Sequence, residues 1–117
     1  FDHGQGSAFV RMAGWEASLR ELIEIGPHQI AKHCRGFGDK LAAELDHVRY
    51  TISDFTDGMQ AAHLFRIAPK DASRFDEVSA ALVSAGVTVS QRDGGWRISP
   101  HVYNDSADAE RILLALE

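Results

Sequence analysis

The sequence has one cysteine, three prolines, and twelve lysines and arginines against seventeen acidic residues. A single thiol, Cys34, excludes an intrachain disulfide and suits a reducing compartment, so a cytoplasmic location is expected. The longest apolar run is only a few residues, far short of the roughly 20 that a membrane helix needs, and no membrane partner is expected. The cations are scattered, no basic block exists, and the net charge is −5; that balance argues against a nucleic-acid partner. His28 and His33 stand five apart, without a Cys/His cluster, which is no ligand spacing for a metal site. No signal peptide is visible, and the chain starts at Phe1 without a methionine. A removed leader and a longer parent protein are both open on that ground.

What is present is an ordinary globular composition, 44% hydrophobic and 25% charged over 117 residues, the size of one domain. The opening FDHGQGSAF reads as a polar loop, and GQG, with no strand before it, is too short for a phosphate loop. Residues 8–25 turn helical, with Phe9, Met12, Leu19, Leu22 and Ile23 on one broad face. Gly26-Pro27 ends that helix and starts the next, because glycine suits the position after a helix and proline its first turn. Residues 27–48 then carry Ile30, Cys34, Phe37, Leu41, Leu45 and Val48 in steps of three and four, a stripe for burial. Cys34 on that stripe reads as a buried structural thiol.

A short strand is predicted at 51–53 and a longer one at 59–67, closed by Pro69. Asp71 is a good N-cap for a helix over 72–85, stopped by Gly86. Residues 87–91 alternate Val, Thr, Val, Ser as a half-buried strand, and Asp93-Gly94-Gly95 turns into a return strand at 96–99. Asn104, Asp105 and Ser106 offer caps for a last helix carrying Ile112, Leu113 and Leu116. This order predicts an α+β fold: a small, mainly antiparallel sheet with helices packed on one face.

The hairpin carries the sharpest candidate. Strand side chains alternate faces, so if Val87, Val89, Trp96 and Ile98 face the helices, then Thr88, Ser90, Arg97 and Ser99 face the open side. Arg97 there, ringed by small hydroxyl residues, suits a bidentate grip on a carboxylate. His101 reads as a solvated loop residue. Tyr103 and Asn104 read as fixing the turn and capping the helix.

The stretch GWRISPHVYNDSADAERILLALE resembles the C-terminal end of class V aminotransferases. These are the fold-type-I pyridoxal-phosphate enzymes that include cysteine desulfurases, kynureninases, selenocysteine lyases and isopenicillin-N-epimerase-like proteins. The shared pattern is an arginine, a serine, a few variable residues, then Tyr-Asn and an acidic N-capped helix. The opening FDHGQGSAFVRMAGWEASLRELIEIGPHQI is similar to that family's loop and long helix joining its large and small domains.

The resemblance implies that residues 1–25 are the loop and interdomain helix and 26–117 the C-terminal small domain, with the large domain absent. It implies pyridoxal phosphate in the full-length enzyme and none bound by this chain alone, which would be inactive. Partners would be the large domain, a second subunit of a homodimer, and an amino-acid substrate. Arg97 matches the family's α-carboxylate arginine. Gln5 falls where many relatives have a threonine that reaches the cofactor phosphate of the neighbouring subunit. The loop ahead of Arg97 has no thiol, which argues against a cysteine desulfurase and leaves a transaminase, lyase or epimerase-like member. Lys32, Lys40 and Lys70 lack the buried context that would make a lysine nucleophilic. The alternatives are a free-standing α+β module that binds or senses a small carboxylate, and a pure oligomerisation domain.

Overall fold

The computed structural model describes residues 5–53 and 63–117. Their order is α1 (Gln5–Ile25), α2 (Pro27–Glu44), β1 (Tyr50–Ile52), β2 (Phe65–Pro69), a 3-10 turn (Ala72–Arg74), α3 (Phe75–Ser84), β3 (Ser90–Arg92), β4 (Gly95–Ile98) and α4 (Ser106–Ala115). The chain divides into two compact units, Phe1–Ile30 and Ala31–Glu117. The division therefore falls inside α2 rather than at the glycine before it. Among the described residues no helix is long and apolar enough to cross a membrane.

In the first unit, Gly26 takes a left-handed φ of 92° and its N–H returns to Leu22 O at 3.0 Å, which stops α1. Met12, Trp15, Leu19 and Ile23 lie within a single stripe of α1 and are all exposed.

The second unit is an α+β layer. Its sheet is antiparallel throughout, in the order β1-β2-β4-β3. One sheet face supplies Tyr50, Phe65, Ile67, Trp96 and Ile98 to a core shared with Phe37, Leu41 and Leu45 of the α2 end, Val78 and Leu82 of α3, and Ala109, Ile112 and Leu116 of the α4 end. Trp96 stacks on Phe75 at 5.1 Å with the rings 4° from parallel, and its indole N–H donates to Ser79 Oγ at 2.8 Å. The one polar atom that this large side chain buries is thereby satisfied.

Several expected boundaries moved: α1 already starts at Gln5, inside the stretch read as a loop, the helix expected from residue 72 opens as a 3-10 turn, and three others moved for a local reason. The helix predicted to reach residue 48 ends at Glu44. Asp46 Oδ1 accepts from Val48 N at 2.9 Å and Oδ2 from Arg49 Nε at 2.6 Å, an aspartate turn that competes with helix. Val48 is left 83% exposed, and burial passes to Tyr50, whose hydroxyl donates to Leu116 O at 2.7 Å. The strand predicted at 59–67 is β2, Phe65–Pro69; residues 59–62 lie outside the described part. The strand predicted at 87–91 is displaced to Ser90–Arg92. Val87 and Val89 pack against the core without a ladder partner, so their alternation records burial and not pairing. The remaining signals mark real boundaries: Asp71 accepts from Ser73 N at 3.0 Å, and Gly86 ends α3 at φ 72°.

Candidate functional site

Residues opposite one another in an antiparallel pair point to the same face, so the register lays out the open side of the sheet. Arg66 stands opposite Arg97, and Arg97 opposite Ser90; Ser53 N donates to Arg66 O at 2.8 Å and extends this row to β1. The neighbouring row holds Thr51 beside Ala68, and Gly95 beside Arg92. Trp96 and Ile98 are anchored in the core on the other face. A slip of one residue would bury Arg97 and expose Trp96, so the packing fixes where Arg97 points.

Arg97 is exposed, and among the described residues its guanidinium makes one hydrogen bond, a long contact of 3.5 Å from Nη2 to Ser90 Oγ. Arg66 behaves differently. Its Nε donates to Arg92 O at 3.2 Å and its Nη2 to Asp93 O, so the guanidinium lies across Gly95 and clasps the turn. Asp93 and Gly94 take left-handed φ of 49° and 70°, as a two-residue hairpin turn requires. Gly95 is needed for a different reason: a Cβ there would stand 2.6 Å from Ile67 O and 2.8 Å from Arg66 Nε.

Five of the described cations are paired with carboxylates. Arg20 pairs with Glu16 at 2.7 Å, Lys40 with Glu44 and Glu110 at 3.1 and 3.2 Å, Arg49 with Asp46 at 2.6 Å, Arg74 with Glu77 at 3.6 Å and Arg111 with Asp108 at 2.9 Å. Among the described residues no carboxylate reaches ion-pair distance of Arg66, Arg92 or Arg97. Among the described residues three guanidinium groups thus stand on one sheet face without a carboxylate partner, two of them directly opposed.

The segment after β4 is tied down on all sides. Cys34 Sγ donates to Pro100 O at 3.4 Å and His33 Nε2 donates to Asn104 O at 2.7 Å. Asn104 Oδ1 accepts from His101 N at 2.9 Å while its Nδ2 donates to Asp108 Oδ2 at 3.1 Å. Asp105 and Asp108 form a reciprocal capping box at the start of α4. Asn104 is therefore structural, as expected. Tyr103 is exposed and stacks on His101 at 5.2 Å. Burial pushes the Cys34 thiol up, away from nucleophilic use. Of the hydroxyls expected around Arg97, Ser90 is beside it. Thr88 and Ser99 instead line a separate cleft of about 330 Å³, floored by Phe37, Ile98 and Ile112.

Gln5 opens α1, and its side chain lies outside the described part. Lys40, between two carboxylates, has its pKa raised, chiefly by the Glu44 hydrogen bond, and Lys70 Nζ donates to His47 O at 2.6 Å. Sequence reasoning did not single out Arg66 or Gly95. The alternation of Phe65, Arg66 and Ile67 already placed Arg66 on the open face; the β2–β4 pairing that sets it against Arg97 had no sequence signal.

No family model and no solved structure matches the chain. It is 24% identical over 108 residues to an uncharacterized protein of Schizosaccharomyces pombe. That similarity covers 92% of this chain and 24% of the yeast protein, so the chain spans about a quarter of the length of the curated relative it matches.

Proposed function

We propose that this chain is the C-terminal small domain of a cytoplasmic, pyridoxal-phosphate-dependent class V aminotransferase-like enzyme, in which Arg97 binds the carboxylate of an amino-acid substrate. The observation that carries the reading is Arg97 itself: an exposed guanidinium aimed by the Trp96 and Ile98 anchors, with one long hydrogen bond and no carboxylate partner among the described residues. The order Arg97, Ser99, Tyr103, Asn104 supports it.

The described lysines do not fit the cofactor's Schiff-base role. Lys40 is held charged by Glu44 and Glu110, Lys70 is hydrogen bonded to a backbone carbonyl, and Lys32 is exposed. No step through the cofactor is assigned to this chain. Its contribution is to bind and orient: a planar fork offers two parallel N–H donors to a carboxylate, and the buried anchors keep that fork in place. A large domain and a second subunit would be its partners.

The second reading, a free-standing module that binds small carboxylates, is favoured by the self-contained core of the Ala31–Glu117 unit. One experiment addresses the clamp and both readings. Arg97→Gln in the longest natural protein containing this sequence should raise KM for amino acids by about 10- to 100-fold, the worth of a charged bidentate contact, while cofactor absorbance persists. An unchanged KM would remove the carboxylate role. Carboxylate binding in a natural protein no longer than this chain would select the module.

A further inference from the structure

We infer that the open sheet face takes a ligand with two separated negative charges, a dicarboxylate or an amino acid with an acidic side chain. This rests on the reading of Arg97 as a carboxylate clamp and adds a second subsite to it. Arg97 stands opposite Arg66 on one side and opposite Ser90 on the other, and Arg92 follows Ser90 by two residues on β3. Arg92 is thus the diagonal neighbour of Arg97 on the same face, with Cβ atoms roughly 7–8 Å apart in such a pair.

Arg66 completes the second subsite. Its guanidinium does not stay over its own row but crosses Gly95 towards β3, donating to Arg92 O and Asp93 O. Those two bonds leave three of its five N–H groups free. Gly95, with no side chain, lets the guanidinium lie against the sheet. The positive charge is therefore divided into two places: Arg97 over one row, Arg66 and Arg92 over the next. Two residues along a strand separate the rows by roughly 7 Å.

A single carboxylate would neutralise one end and leave the other cations facing each other. Among the described residues none of the three guanidinium groups of the open face has a carboxylate within 4 Å. A ligand whose acidic groups sit several bonds apart meets both places at once. A compact dianion meets only one.

The test is a titration of this chain, labelled with ¹⁵N and followed at the arginine Nε–H signals, at fixed ionic strength. Acetate, malonate, glutarate and sulfate are the probes. Glutarate is expected to bind about fivefold tighter than acetate, the gain from one further exposed charge pair, and to shift Arg97 and Arg92 together. In the double variant Arg66→Gln/Arg92→Gln that advantage should vanish while acetate still shifts the Arg97 signal; Arg97→Gln should weaken both ligands. Malonate and sulfate should remain close to acetate. If acetate shifts Arg97 but glutarate gains no more than the statistical factor of about two, the second subsite is wrong and the clamp stands. Sulfate binding as tightly as glutarate would also overturn the spaced pair. If no carboxylate moves Arg97, the clamp fails and this inference with it.

Discussion

Replacing Gly95 by alanine tests the account of the open face most directly. The new Cβ would sit 2.6 Å from the Ile67 carbonyl, 2.8 Å from Arg66 Nε and 3.0 Å from Ala68 Cβ. The guanidinium can swing aside, but the Ile67 carbonyl belongs to the central β2 strand and cannot. Crowding of this kind costs about 1–3 kcal/mol. Displacing Arg66 also loses its bonds to Arg92 O and Asp93 O, each worth about 0.5 kcal/mol at this exposure. The sum is about 2–4 kcal/mol, a fall in Tm of roughly 8–30 °C for a unit of this size. Differential scanning calorimetry reads it. Gly36→Ala is the control: nothing lies within 4 Å of its added Cβ, so better helix propensity should raise stability by about 0.5–1 kcal/mol. A Gly95→Ala protein melting within about 3 °C of the parent would refute the clasp.

Tyr50→Phe should cost about 1–2 kcal/mol in urea unfolding, because it strands the buried Leu116 carbonyl that the hydroxyl now satisfies at 2.7 Å. Cys34 should react with a thiol reagent only as fast as the fold opens, since it is fully buried with a raised pKa; immediate labelling of the native protein would contradict its packing. Asp46, Asp71 and Asp108 all have pKa values below the ordinary 3.8, held there first by the side chains of Arg49, Ser73 and Asn104. A depressed carboxylate stabilises the fold above its unfolded pKa and loses that contribution as pH falls through its folded one. Tm should therefore drop below about pH 4, and Asp108→Asn should flatten the drop.

The parts of the fold that were legible in the sequence are those written in local backbone chemistry. Gly26-Pro27, Gly86 and Asp93-Gly94 each mark a boundary because few other residues accept those torsions. The open-face position of Arg97 was legible too, since bulky Trp96 and Ile98 could have only one destination. Residues 87–91 misled because Val87 and Val89 alternate for burial while β3 pairs only from Ser90. Val48 extended a helical stripe that Asp46 had already ended. Arg66 and Gly95 remained hidden as site residues because their meaning lies in strand neighbours roughly 30 residues apart, which no periodicity carries.

The sheet's rim has a consequence for handling the protein. Both outer strands, Tyr50–Ile52 and Ser90–Arg92, are only three residues long. Each offers a neighbouring molecule few free N–H and C=O groups, and the β3 rim carries the charged Arg92. Short, charged rims are how sheet proteins discourage edge-to-edge stacking. The self-contained Ala31–Glu117 unit should therefore tolerate high concentration without forming β-aggregates, with Arg92 guarding solubility at that rim.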